Sequence, residues 1–219
     1  MKKPLMLGCK GCGNAIAESA FALAGIDFDY EEVDYSDDSP TRPRLLQFNP
    51  LGQVPTLILP DGKVVTESLA MIHWANDVAP QAGLIPAPGD PARLAFYRWV
   101  VFLIAAVYPT FTYGDDPKKW VANEAGAKEL RASTDAHRQA MWKQLEGIAG
   151  DPWFLGSTRT ALDLYLTCMT RWRPGRKWFV ANTPRIVAIA RRANALPELA
   201  TVMHRNFDWL NSLGDPWAE

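Results

Sequence analysis

Cysteine, histidine and net charge are what this 219-residue chain has little of, and each shortage excludes something. Three cysteines cannot all pair, and two of them, Cys9 and Cys12, stand together near the start. That argues against a secreted disulfide framework and for a reducing compartment, by default the cytoplasm. The three histidines, His73, His137 and His204, are scattered, with no second histidine three or four residues from any of them, so no metal site is expected. A net charge of −1 gives no electrostatic case for nucleic acid or for an anionic membrane. The apolar stretch before Gly8 is too short for a signal-peptide core, and no uninterrupted apolar run approaches a membrane span.

What remains is an ordinary globular composition, 48% hydrophobic and 21% charged, in a length that suits one large or two small domains. The first 78 residues read as strand, helix, strand, a loop with a short helix, then a hairpin and a helix. Leu5 to Gly8 is a short strand. Asn14 to Ala24 is an alanine-rich helix closed by Gly25, and Phe28 to Val33 is a second strand. Ser36 to Arg44 is a polar, proline-bearing loop. The stretch 79–91, with four prolines and two glycines, reads as a linker. Residues 92–219 lack strand signals. Helices are expected over Leu94–Phe111, Ala122–Ala149, a segment opened by Thr160 and Asp163 as a capping pair and running to Met169, Pro184–Asn194 and Pro197–Asn211.

Residues 49–74 are the most informative. A turn at Asn49-Pro50-Leu51-Gly52 leads to Val54-Pro55, an apolar run from Thr56 to Leu59, a tight turn at Pro60-Asp61-Gly62 and a second run at Val64-Val65, which is a hairpin signal. Glu67 and Ser68 then precede Leu69, Ile72, His73 and Trp74 at helical spacing, with Ser68 in the character of an N-cap. Proline removes one ladder donor, and a cis Val54-Pro55 bond turns the Val54 backbone outward, where it can pair with an extended ligand. The helix start offers N–H groups to a carboxylate, and Glu67 can hold an ammonium. Together these suit a zwitterion joined to a peptide backbone, as in glutathione. The plain alternative is sound α/β construction with no ligand.

The Val-Pro pair, the hairpin and the Glu-Ser helix start resemble the second half of the glutathione-transferase N-terminal domain. The Thr160-x-x-Asp163 helix start resembles that family's C-domain signature, so the likeness spans nearly the whole chain. It implies a thioredoxin-like α/β N-terminal domain over residues 1–78, a linker over 79–91 and an all-α C-terminal helical domain over 92–219, assembled as a homodimer. It implies glutathione as co-substrate, held by Gln53, Val54, Pro55, Glu67 and Ser68.

In that fold the reactive group lies between the first strand and the first helix, here Gly8-Cys9-Lys10-Gly11-Cys12-Gly13-Asn14. The stretch resembles a bacterial subgroup with a Gly-Ser-Gly-Ser type turn. By that match Cys12 takes the place of the catalytic serine and Asn14 that of the second small polar residue. A helix start is expected to lower the pKa of the Cys12 thiol, with Lys10 as a positive neighbour. A serine here would donate a hydrogen bond to the glutathione sulfur. A cysteine does so only weakly, but it can form a mixed disulfide. Two reactions therefore stand open: conjugation of glutathione to a small hydrophobic electrophile, and glutathione-dependent disulfide exchange of the omega or glutaredoxin type. A non-catalytic ligand carrier on the same fold is the third reading. Cys9 completes a C-x-x-C, but its place at a strand end reads as a small apolar filler; Cys168, beside Leu166 and Met169, reads as core.

The electrophile pocket is expected on the helix RWVVFLIAAVYPTFTYG. Beta-class members carry an Asn and a His there; this chain has Val101 and Tyr108, a departure that leaves Tyr108 and, one turn on, Phe111 as pocket candidates. The basic aromatic cluster Arg171 to Trp178 reads as a solvated loop whose tryptophans pack inward.

Overall fold

The structure, a computed structural model, describes residues 2–211. They fall into two compact units, residues 2–85 together with 192–211, and residues 86–191.

The first unit is a four-stranded mixed sheet with helices, the thioredoxin-like arrangement expected. Its elements are β1 (Leu5–Gly8), α1 (Asn14–Ala24), β2 (Asp29–Glu32), α2 (Arg42–Leu46), β3 (Thr56–Ile58), β4 (Val64–Thr66) and α3 (Ser68–Val78). The sheet order is β2-β1-β3-β4. The central strand is fully buried at Met6 and Leu7, whose side chains alternate across the sheet. Leu7 packs with Val33 and Leu45 and with the half-buried Leu5, Phe48, Val54 and Ile58. The alanines of α1 let that helix lie close to its neighbours, and Phe21 anchors it with ring centroids 5.6 Å from Phe28 and 5.5 Å from Trp74 of α3. Gly25 ends α1 at φ 65°, and the Ile26 N–H reaches back to the Phe21 carbonyl, closing the last turn as expected.

Strand register fixes which loops become neighbours. β1 runs parallel to β2 with Gly8 opposite Glu32, and antiparallel to β3 with Leu7 opposite Thr56; β3 runs antiparallel to β4 with Thr56 opposite Thr66. The ends of β1, β2 and β4 and the start of β3 therefore share one edge of the sheet.

The second unit is helical: α4 (Ala92–Phe102), α5 (Tyr108–Asp115), α6 (Glu124–Ile148), α7 (Ala161–Met169), α8 (Arg176–Asn182) and α9 (Pro184–Asn194), the last running past residue 191. A π-helical turn, Leu103–Val107, joins α4 to α5 without a break. Pro109 explains it, because a proline ring collides with the carbonyl four residues earlier, and a wider turn relieves that collision. The result, Ala92–Asp115, is longer than the expected Leu94–Phe111. It corrects the expectation that nothing approaches membrane length: its 24 residues hold an 18-residue window of mean hydropathy 1.6. Length and composition alone are weak evidence for a span, and the segment packs against α6 and α7 within this unit. Asn123 caps α6 by accepting the Gly126 N–H at 2.8 Å. The Thr160–Asp163 capping box forms as expected, with the Thr160 N–H donating to Asp163 Oδ2 at 2.8 Å, and α7 is buried throughout. Helix α8 was not foreseen.

The last described helix, α10 (Ala200–Asn211), follows a 3₁₀ turn at Pro197–Leu199. The family resemblance implies a helical domain that includes it, and its contacts are with α1, in the first unit.

Candidate functional site

The loop from Cys9 to Gly13 leaves the shared sheet edge at Gly8. Only glycine fits there, since a Cβ would stand 2.8 Å from the side chains of Asn14 and Tyr30. The Cys12 N–H donates to the Cys9 carbonyl at 3.1 Å, closing a four-residue turn whose third residue, Gly11, has φ 76°. The Cys9 N–H donates to Asn14 Oδ1 at 3.0 Å and the Gly11 N–H to Asn206 Oδ1 at 3.3 Å.

Behind the loop lies a buried polar network. Asn14 Nδ2 donates to Glu18 Oε1 at 2.8 Å and to Asn206 Oδ1 at 3.1 Å; Asn206 Nδ2 donates to Glu18 Oε1 at 3.2 Å and to the Val202 carbonyl. Asn14, Glu18 and Asn206 are completely buried. The Glu18 carboxylate is answered by Arg205 Nη1 at 2.6 Å, and the Arg205 guanidinium stacks 4.6 Å over Tyr30. Asn14 was expected beside a reacting sulfur. Both ends of its carboxamide are instead spent within this network, so the geometry makes it a residue that positions the loop.

Cys9 and Cys12 are both half-buried and free. Each thiol is the strongest influence on the acidity of the other. The Cys12 thiol holds the Cys9 pKa below its usual value, against burial and the carboxylates of Asp34 and Glu32, with Lys10 assisting. Cys12 is pushed well up, first by its pairing with Cys9, then by burial and by the charge on Cys9; Tyr35 Oη, 3.9 Å from Sγ, pulls the other way. The expected lowering of the Cys12 pKa by the helix start is thus overturned. Once one proton has left the pair, the more enclosed sulfur keeps the other. Cys9, expected as apolar filler, is the group that ionises first.

At the same sheet edge, Val54 is half-buried, Pro55 is buried, Gln53 is exposed, and the Val54–Pro55 peptide bond is cis. The turn before it is held by Asn49 Nδ2, which donates to the Gln53 carbonyl at 2.9 Å and to Thr56 Oγ1 at 3.1 Å. Since Thr56 pairs with Thr66, Pro55 and Glu67 lie at the same end of the hairpin. Glu67 is exposed, with φ 65° and ψ 117°, the one non-glycine residue of positive φ among those described. It occupies the cap position of α3, and Ser68 is the first helical residue rather than the cap, a shift of one from the expectation.

Tyr108 and Phe111 lie in the second unit, ring centroids 6.3 Å apart, and both pack on Trp172 with centroids 5.4 and 5.5 Å from its ring. Phe111 is buried, with the Arg138 guanidinium 4.1 Å from its centroid, so it belongs to the core; Tyr108 is half-buried. Half-buried Trp172 packs on these two rings as expected, but Arg171 is buried, and α8 begins inside the cluster, so this is not a solvated loop. Burial brings Arg171 down to about 10 and Arg176, beside Arg171 and Arg191, to about 9. Cys168 is fully buried, as expected. Among the described residues no group of three His, Cys, Asp or Glu could hold a metal ion.

Four residues here escaped the sequence reading: Tyr35, Glu18, Arg205 and Asn206. Asn206 alone had a signal. It stands four residues after Val202 and next to Phe207, a polar group on the apolar stripe of its helix.

Residues 17–78 match the family model described as glutathione S-transferase, N-terminal domain. The uncharacterized GST-like protein YncG of Escherichia coli (strain K12) is 34% identical over 201 residues, covering 91% of this chain and 96% of its own. The glutathione S-transferase GstA of Escherichia coli O157:H7 is 25% identical over 182 residues, 82% and 83% of the two chains. Among solved structures, a glutathione transferase homologue from Sulfitobacter with bound glutathione superposes with a TM-score of 0.84 at 24% identity, over 92% of this chain and 97% of that one. The chain belongs to the glutathione transferase family.

Proposed function

We propose that this protein is a glutathione transferase that binds glutathione along the shared sheet edge and activates its thiol for attack on a small hydrophobic electrophile. The observation that carries the reading is convergence. The register of four strands brings Val54-Pro55, Glu67-Ser68 and the Cys9–Cys12 loop to one edge, from three separate parts of the chain. In this reading the Val54 backbone pairs with the peptide part of the ligand, flanked by Pro55 and Gln53, while Glu67 and Ser68 take the amino-acid head.

The backbone of Glu67 supports that role. A non-glycine residue in so sparsely populated a region costs about 1–3 kcal/mol, and such residues cluster at ligand clamps. Cys12, kept protonated by its surroundings, acts as a thiol that donates to the ligand's sulfur, the part a serine hydroxyl plays. The same protonation disfavours Cys12 as the first attacking thiolate in disulfide exchange. The protein works as a homodimer in the cytoplasm. Pairing is supported by the face of α4 that carries Leu94, 80% exposed, and Val101, 49% exposed.

Isothermal titration of the reduced protein with glutathione should give heat, and Glu67→Ala should weaken binding about tenfold, some 1.4 kcal/mol. Conjugation of a dinitrobenzene electrophile should fall with it. Absence of heat, with Glu67→Ala indistinguishable from the parent, overturns the reading in favour of a carrier on a shared fold.

A further inference from the structure

The turn that opens α1 holds two cysteines, and glutathione transfer as proposed uses only one. Their backbones are already in the geometry of a small ring: the Cys12 N–H to Cys9 carbonyl bond closes residues 9–12, and Gly11 supplies the positive φ that turn requires. Closing such a turn holds its end Cα atoms within about 7 Å, while a disulfide spans about 4.4–6.8 Å between Cα atoms. Both side chains are half-buried, so a small reagent can reach them. The loop is pinned from behind by Asn14 and Asn206, which keeps the pair in register.

We propose that Cys9 and Cys12 are a reversible dithiol–disulfide pair that exchanges with disulfides of low-molecular-weight thiols, Cys9 attacking and Cys12 resolving. Cys9 is the sulfur whose pKa is drawn below its usual value while that of Cys12 is pushed up, and the thiolate is the nucleophile. In the first step the Cys9 thiolate attacks one sulfur of the small disulfide. A Cys9–sulfur bond forms, the disulfide bond of the reagent breaks, and one small thiolate leaves. In the second step Cys12 gives its proton to water and its thiolate attacks Cys9 Sγ. The Cys9–Cys12 bond forms, the mixed disulfide breaks, and a second small thiolate leaves. Two protein thiols are oxidised, one small disulfide is reduced to two thiols, and the leaving thiolates take up the protons. The pair itself needs no tripeptide dock. Only its consequence rests on the proposed function: the oxidised protein has lost the Cys12 S–H and with it the donor to the ligand's sulfur.

The test uses the full-length protein, reduced, freed of reductant and exposed to hydroxyethyl disulfide or, separately, to glutathione disulfide. Samples are quenched in acid and weighed intact. The wild-type protein should lose about 2 Da, with Cys168 still alkylated after unfolding, and a dithiol should restore the mass. Cys12→Ser should accumulate the mixed disulfide on Cys9, having nothing to resolve it. Cys9→Ser should react at least about tenfold more slowly, because burial and the Asp34 carboxylate still hold its remaining thiol protonated. No 2 Da loss in the wild-type protein, or an adduct that builds up on Cys12 in Cys9→Ser faster than on Cys9 in Cys12→Ser, overturns the assignment. Peptide mapping of the oxidised wild-type protein, which depends on no variant folding, must place the bond between residues 9 and 12. A protein that closes the pair with hydroxyethyl disulfide yet gives no heat with glutathione keeps this inference and loses the transferase reading.

Discussion

At the scale of single residues, the chemistry of the loop depends on side chains that never meet solvent. Asn206 lies nearly two hundred residues from the cysteines in sequence, yet its carboxamide oxygen holds the Gly11 N–H and one Asn14 amide hydrogen. Removing it in Asn206→Ala leaves those two donors without an acceptor, at a cost of about 2–6 kcal/mol, since a buried unsatisfied donor costs about 1–3 kcal/mol. The urea midpoint should fall accordingly. Because the turn loses its rear support, iodoacetamide should alkylate Cys9 and Cys12 faster in folded protein than in the wild type. An unchanged alkylation rate despite a lower midpoint would mean that the network stabilises α10 without shaping the loop. The candidate residues Cys12, Val54, Pro55, Glu67 and Ser68 each belong to a local pattern, which is why the sequence alone could propose them. The part played by Asn14 was not legible there, because its partners come from α10.

At the scale of elements, the start of α7 shows what a cap does when it is buried. Asp163 accepts the Thr160 N–H at 2.8 Å and the Phe154 N–H at 2.9 Å, and burial still pushes its carboxyl up to about 6, against the pull of those amides. The folded-state pKa lies above the ordinary value of 3.8, so between the two the folded protein binds more protons than the unfolded chain. This group's contribution therefore declines as pH rises from about 4 to 6 and is level above that, by roughly 1–3 kcal/mol. Asp163→Asn does not titrate. It should cost about 1–3 kcal/mol through a lost acceptor, and the gap between mutant and parent midpoints should narrow as pH rises from about 4 to 7. A gap that widens over this range would show that the amides outweigh burial. The capping box itself was readable from Thr160 and Asp163 alone, since it lies within one helical turn. Helix α8 was hidden in a basic aromatic stretch, because its stability comes from burial of Phe179 rather than from a capped amphipathic pattern. The join of α4 to α5 was hidden too, since Pro109 reads as a breaker until a wider turn absorbs it.

At the scale of the whole molecule, the long apolar helix poses the largest question. Only 28% of its most apolar window is buried within the chain, which leaves Leu94 and Val101 outside on one face. Pairing with a second copy covers such a face without any membrane. Sedimentation of the wild-type protein should therefore give a species of about twice the chain mass, and Leu94→Glu with Val101→Glu should give the monomer, because charge in an apolar interface is not desolvated without large cost. A monomeric wild-type protein that partitions onto vesicles would sink the homodimer.

The sequence by itself determined the order of strands and helices in the first unit, the hairpin with its Glu-Ser helix start and the Thr160–Asp163 cap. Each of these is set by residues within a few positions of one another. Only the tertiary structure decided that α10 belongs with the sheet-bearing unit, that Asn14 props the loop, and that Cys9 rather than Cys12 ionises first. Those outcomes depend on which distant groups are brought together out of water, and pKa values and buried hydrogen bonds answer to that proximity and not to spacing along the chain.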